Sequence, residues 1–288
     1  MNKAVRNLVI FTLVAIGGGF SGILIDRLAP PPNPMQGLGI LIWLVSPFIA
    51  NLLLRGFGGD GWKDFGLRPK LMSSWKWYLV ALIVPLFVTL FSLILGSAFG
   101  AVSVSNPTGP GINALILTIG AAFGANAIKN VFEEFSWRGY LTPRFEAIGL
   151  HPFSNALFTG LIWAGWHIPY YLYFLDRKTM QEYTWLSVPA LILLAFLVLP
   201  LQALAYGELR LLSGSVWSAW LMHSTANALG LSLILSGSIS VLNNPLGILL
   251  TPGTEGIVYS LLMGMIGILL FRQRRKRTLS NNYHDRSP

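Results

Sequence analysis

Long apolar stretches alternate with short polar breaks along this chain, and the alternation predicts its secondary structure. Each stretch reaches about the 20 residues that a helix needs to cross a hydrocarbon core of roughly 30 Å. The predicted helices have the approximate bounds 5–25, 37–54, 77–98, 112–141, 155–174, 187–206, 216–235 and 256–271. The pattern therefore predicts an all-α fold, a polytopic membrane helix bundle with about eight transmembrane helices.

Composition narrows the class of protein further. Hydrophobic residues make up 53% of the 288 residues and charged residues only 11%, whereas an ordinary soluble domain has about a quarter charged residues. We expect one transmembrane domain over residues 1–271 and a basic, disordered cytosolic tail over residues 272–288. The chain has no Cys, so a disulfide, a thiolate metal site and a Cys nucleophile are excluded.

The net charge of +9 indicates membrane topology rather than nucleic-acid binding, because the basic residues cluster between and beyond the apolar segments. Five of them, between residues 272 and 277, follow the last predicted helix and place the C-terminus in the cytosol. An even number of helices places the N-terminus there too. This orientation leaves only three Lys and Arg on the other side, namely Arg27, Arg177 and Lys178.

Polar residues concentrate in three of the predicted helices. Ionisable side chains are costly inside a membrane, so each one is a candidate for function. The polar and ionisable residues in these helices are Asn126, Lys129, Asn130, Glu133, Glu134 and Arg138 in the fourth helix, His167 in the fifth, and His223 and Asn227 in the seventh. This concentration predicts a buried functional site between those helices.

Helical spacing separates the roles of the two adjacent acids. Glu134 and Arg138 are four residues apart, on one helix face and in the favourable order, so we expect them to form an ion pair. Glu133 is rotated by about 100° from Glu134 and is not neutralised by Arg138, which suits a general base or acid. Lys129 lies four residues before Glu133 and could neutralise it instead.

The remaining polar residues also form pairs at a spacing of four, which places each pair on one helix face: Trp163 with His167, and His223 with Asn227. Each His lies 13 residues after a predicted cytosolic boundary, Ser154 or Arg210, which is a depth of about 20 Å.

Glu133 reaches a similar depth, about 16 Å, only if Arg138 is buried against Glu134. We then expect Glu133, His167, His223 and Asn227 to line one cavity that opens toward the cytosol.

Three motifs carry a resemblance to a known family. Glu133-Glu134-Phe-Ser-Trp-Arg138, Trp163-Ala-Gly-Trp-His167 and His223-Ser-Thr-Ala-Asn227 occur in that order. They resemble the Glu-Glu-x-x-x-Arg, Phe-x-x-x-His and His-x-x-x-Asn motifs of the CAAX protease and bacteriocin-processing (CPBP, Abi-type) intramembrane protease family. Trp163 stands where that family usually has Phe, which keeps an aromatic ring.

The resemblance implies an intramembrane endopeptidase, in a bacterial cell membrane, that acts on a membrane-associated or lipidated protein or peptide. It implies that Glu133 and His167 activate water while His223 and Asn227 stabilise the oxyanion, with Glu134, Arg138 and Trp163 as supporting residues. It leaves the cofactor open, because the family has been described both as metalloproteases and as glutamate proteases. Glu133, His167 and His223 are the residue types of a catalytic zinc site with one open position.

Other functions remain as alternatives. A non-catalytic membrane immunity or binding protein of the same fold would keep these motifs without using them for hydrolysis, and intramembrane carboxylates also suit a proton-coupled transporter. An aspartyl protease is excluded, because every Asp is predicted at a helix end or in a loop or tail: Asp26, Asp60, Asp64, Asp176 and Asp285. Gly19-Phe-Ser21-Gly22 resembles a rhomboid nucleophile motif, but a small-residue face for helix packing is the favoured interpretation.

Overall fold

A computed structural model describes residues 2–104 and 112–284, and these residues are mostly helical. The long helices are α1 (Lys3–Leu28), α2 (Leu38–Gly56), α3 (Leu71–Ala98), α4 (Ile112–Ser136), α6 (Pro152–Pro169), α8 (Val188–Ser213), α9 (Val216–Leu235) and α11 (Ile257–His284). Three short helices are α5 (Thr142–Ala147), α7 (Arg177–Tyr183) and α10 (Pro245–Leu250). Each predicted helix overlaps one of the long helices, and the predicted helical membrane bundle is confirmed.

Six helical segments within the described residues are long and apolar enough to span a membrane, so this is a multi-pass membrane protein. They are Lys3–Leu28, Leu38–Gly56, Leu71–Ala98, Asn113–Ala147, Val188–Ser213 and Ile257–Ser280. The predicted number of eight is not confirmed. Helices α6 and α9 are not among these six, and both bury polar or small residues, such as Thr159 and Gly160 in α6 and Ser218 and Ser224 in α9.

The last helix extends past its predicted end at Phe271. Helix α11 continues through the basic residues to His284, so residues 272–284 are helical rather than disordered, while residues 285–288, including Asp285, lie outside the described part. Arg274 forms ion pairs with Glu146 and Glu208, both at 2.7 Å. These ion pairs stabilise the polar end of the helix. Hydropathy alone cannot predict this extension.

One short antiparallel pair of strands was not predicted. Strand β1 (Val102–Val104) pairs with β2 (Ile239–Val241). Three-residue strands are too short for a recognisable pattern of alternation.

Most of the charged contacts lie at one end of the bundle, which we call the basic end and define by Arg55, Arg144, Arg210 and Arg274. Arg55 and Arg144 both pair with Asp64, and Arg210 donates to the Asp64 carbonyl at 2.7 Å. Helix α1 begins and helix α11 ends at this end of the bundle. The opposite end carries the loops 29–37 and 251–256.

The Gly-rich face of α1 serves helix packing. A Cβ atom at Gly22 would lie 2.4 Å from the carbonyl oxygen of Gly39 in α2, and one at Gly19 would lie 2.6 Å from the Pro169 ring. Ser21, between them, is exposed on the outer surface. The packing interpretation of this motif therefore agrees with the structure better than a serine nucleophile does.

Candidate active site

A π-helical turn, Trp137–Leu141, follows the two acids at the end of α4. Pro143 has no N–H, so the carbonyl of Gly139 loses the donor that a regular helix would give it. The Arg55 guanidinium donates to that carbonyl instead. The neighbouring carbonyl of Phe135 accepts a hydrogen bond from Asn51 at 2.9 Å. Two side chains of α2 thus stabilise the irregular backbone next to the site.

Glu134 is the centre of a buried ion-pair network. Its Oε1 accepts hydrogen bonds from Arg138 Nη1 at 2.7 Å and from His223 Nδ1 at 2.8 Å. All three residues are buried, and the guanidinium of Arg138 lies 4.4 Å from the ring centre of Trp163 and 4.7 Å from that of Tyr206. The predicted pair of Glu134 with Arg138 is confirmed. The contact with His223 was not predicted, because it joins residues 89 positions apart.

Glu133 faces away from this network, as its rotation on the helix predicts. Its Oε1 accepts from Lys129 Nζ at 2.7 Å and its Oε2 from Trp163 Nε1 at 3.0 Å. Glu133 is buried, whereas the Lys129 side chain is 37% exposed. The question that the sequence left open is answered, because Lys129 does pair with Glu133.

Both imidazoles are oriented through their Nδ1 atoms. His167 Nδ1 lies 2.9 Å from the carbonyl oxygen of Trp163, which can only accept, so Nδ1 is the donor. His223 Nδ1 faces the carboxylate of Glu134 in the same way. Each ring therefore has Nε2 available for other chemistry. Asn227 is half-buried, and its side-chain amide forms no hydrogen bond within residues 2–104 and 112–284.

One cavity of about 390 Å³ brings these residues together. Glu133, His167, His223 and Asn227 all line it, and so does Lys129. The rest of the wall includes aliphatic side chains of α8, at positions 191, 194, 195, 198 and 199, which follow helical periodicity, and aromatic side chains at positions 43, 170 and 171. A polar cluster thus lies inside a largely apolar chamber.

The cavity extends toward the opposite end of the bundle, since Met35, Thr254 and Glu255 line it from the loops there. The sequence predicts an opening toward the cytosol together with a cytosolic basic end, and these lining residues do not support both predictions at once. The depth of His223 was counted from Arg210, but α9 begins at Val216. His223 is therefore only about 10 Å along α9 from the basic end, and the chamber lies beyond it.

The arrangement of the three predicted zinc ligands does not fit a metal ion. Within the described residues, no group of three His, Asp or Glu side chains is placed to hold one. Both carboxylate oxygens of Glu133 already accept hydrogen bonds within the protein. A requirement for zinc stays a prediction, and we derive no step that uses it.

Comparison with known proteins agrees with the motifs. Residues 112–229 match the family model of the Rce1-like type II CAAX prenyl endopeptidases. This range contains every candidate residue from Lys129 to Asn227, so the predicted resemblance is confirmed. A search of curated proteins found no match to the chain. The matched family is one of prenyl endopeptidases.

Proposed function

We propose that this protein is an intramembrane endopeptidase that hydrolyses a peptide bond in a membrane-associated or lipidated protein or peptide. The observation that carries the proposal is that Glu133, His167, His223 and Asn227 line one cavity inside the helix bundle. The family match over residues 112–229 supports the same class of reaction.

Glu133 and His167 are suited to activate water. A general base needs a lone pair within hydrogen-bond reach of the water that it deprotonates. His167 holds its Nδ1 proton on the Trp163 carbonyl, so Nε2 is the accepting atom in the neutral ring. Each carboxylate oxygen of Glu133 accepts one hydrogen bond from the protein and has capacity for another.

Asn227 and His223 are suited to stabilise the oxyanion that develops when water attacks the peptide carbonyl. Two donors aimed at that oxygen lower the barrier because they are already oriented before the reaction. The Asn227 amide can donate directly. His223 can donate from Nε2 in its imidazolium form, in which Glu134 is a charge-assisted partner for Nδ1.

Trp163 and Glu134 act as positioning residues for these groups. The indole of Trp163 donates to Glu133, while its backbone carbonyl orients His167. Glu134 orients His223 and is itself held by Arg138. The supporting residues implied by the resemblance therefore have distinct structural tasks in this proposal.

The test compares peptides in bacterial membranes that contain wild-type protein, Glu133→Gln or the control Asp176→Asn. Asp176 is an exposed carboxylate at the start of α7, and Asn keeps its capping oxygen. We expect mass spectrometry to find cleavage products with wild type and Asp176→Asn but not with Glu133→Gln. Equal amounts of cleavage products from wild type and Glu133→Gln would eliminate the mechanism in which Glu133 activates water.

A non-catalytic protein of the same fold predicts a different result. Its function in cells would survive Glu133→Gln, because Gln nearly preserves the shape of Glu while removing the base. A cellular phenotype that persists in this variant, with no change in membrane peptides, would favour that alternative.

A further inference from the structure

Glu255 is an acidic residue of the cavity that the proposed reaction does not use. It lies in the loop before α11 and outside the region of the family match, yet it lines the same cavity as Glu133. The side-chain contact that the structure gives it is a hydrogen bond from the Thr254 hydroxyl at 3.1 Å. No ion pair involves Glu255 among the residues that the structure describes, whereas Glu133 pairs with Lys129. Glu255 thus adds a carboxylate to a largely apolar chamber in which the Lys129 ammonium is already paired with Glu133.

The loop that carries Glu255 is held in place by specific contacts. Gln202 in α8 donates from Nε2 to the Thr254 carbonyl at 2.7 Å and to the Ser260 hydroxyl at 2.9 Å. The backbone N–H of Gly256 donates to the Gly253 carbonyl at 2.9 Å. The position of the carboxylate is therefore built into the fold.

The side chain of Gln202 supplies an acceptor oxygen that has no hydrogen-bond partner. It is fully buried and lines the cavity, and its Oε1 accepts no hydrogen bond from any described residue. A buried acceptor without a donor is costly, unless a ligand satisfies it. An ammonium or guanidinium group has the N–H donors that such an oxygen and a carboxylate both require.

Aromatic rings near the same end of the chamber favour a cation as well. Tyr170 and Tyr171 line the cavity and belong to the π-helical turn that follows α6. Trp43 stacks on Tyr170 with ring centres 5.1 Å apart. The faces of aromatic rings attract cations, most strongly where water is excluded.

We propose that Glu255 and Gln202 form a recognition site for a primary ammonium or guanidinium group of the substrate, which enters the cavity from the end opposite the basic residues. The aliphatic wall of α8 then binds an apolar segment next to that group. The substrate class is an amphipathic peptide with a basic residue beside an apolar stretch. The identification of the bound group as part of a substrate rests on the proposed protease function, but the test measures binding alone.

The probe is octylammonium, with octanol as the neutral counterpart and octyltrimethylammonium as a cation without N–H donors. Protein in lipid nanodiscs is dialysed against each labelled probe, and binding to empty nanodiscs is subtracted. We expect wild type to bind octylammonium at least tenfold more tightly than octanol, because a charge-assisted hydrogen bond is stronger than a neutral one. Octyltrimethylammonium should lie between them.

Glu255→Gln should weaken octylammonium binding about tenfold or more and leave octanol unchanged, while Asp176→Asn should change neither. An equal loss for both probes would show a structural role and overturn the proposal. Wild type that binds octanol as tightly as octylammonium would overturn it without any variant. Failure of the protease proposal is a separate result, because it appears as unchanged cleavage by Glu133→Gln.

Discussion

The two adjacent glutamates should differ in what they do for stability, and Glu134 offers the sharper test. Replacing it with Ala removes the carboxylate that binds Arg138 at 2.7 Å and His223 at 2.8 Å. Both Glu134 and Arg138 are fully buried. The change therefore leaves a buried guanidinium without its counter-ion.

Breaking a buried pair in this way typically costs about 3 to 5 kcal/mol. The rings of Trp163 and Tyr206 remain beside the guanidinium of Arg138, and each desolvated cation–π contact is worth up to about 2 kcal/mol, so we expect a loss near 3 kcal/mol. For Glu133→Gln the charge left behind is that of Lys129, whose side chain is 37% exposed and can be solvated, so we expect a loss of only about 1 kcal/mol.

The assay is reversible unfolding in mixed detergent micelles, and we expect Glu134→Ala to lose at least about 2 kcal/mol more than Glu133→Gln. The double variant Glu134→Leu/Arg138→Met is the matched control. It removes both charges, and replacing a buried pair with apolar residues of similar volume is often neutral or stabilising. Equal losses for Glu133→Gln and Glu134→Ala would refute this division of roles.

Three further predictions follow from the site. Losing one oxyanion donor typically costs about 100- to 1000-fold in turnover, so Asn227→Ala should retain cleavage that is measurable by mass spectrometry, while Glu133→Gln should not. Because both oxygens of Glu133 already accept hydrogen bonds in the protein, we expect cleavage to survive exhaustive chelation in detergent; a loss that zinc restores would contradict this. Burial raises the pKa of Glu255, so octylammonium binding should weaken as the pH falls, starting above the range of a solvated carboxyl; a pH-independent affinity would count against it.

Contacts within one helix were predictable from sequence because helical geometry determines them. The pair of Glu134 and Arg138 follows from a spacing of four residues, and the separate orientation of Glu133 follows from a rotation of about 100°. The cost of polar groups in a membrane was enough to select His167 and His223 as candidates. These arguments need no knowledge of how the helices pack.

Contacts between helices were not predictable in this way. The hydrogen bonds from Trp163 to Glu133 and from His223 to Glu134 depend on the packing of α6 and α9 around α4. Glu255 belongs to a loop that hydropathy cannot place, and its position in the cavity follows from the hydrogen bonds that Gln202 gives the loop. The depth of His223 was misjudged because a turn at residues 214–215 precedes its helix.

The side of the membrane that the cavity faces is the last prediction. We propose that the basic end and both termini are cytosolic, because Lys and Arg are retained on that side during insertion. The cavity then extends toward the outer face, where Thr254 and Glu255 line it. The chain has no Cys, so single Cys residues can be placed without further changes. Gln36 and Lys63 are exposed at the two ends.

Gln36→Cys should react with a membrane-impermeant maleimide in intact bacterial cells, and Lys63→Cys only after lysis. As a control for cysteine reactivity, both variants are also treated with the maleimide after the cells have been lysed, and both should then react. The reverse pattern would place the basic end outside and the cavity toward the cytosol, so the substrate would be a cytosolic protein rather than one presented at the outer face. The labelling thus decides which compartment supplies the cationic, apolar segment that the cavity is proposed to bind.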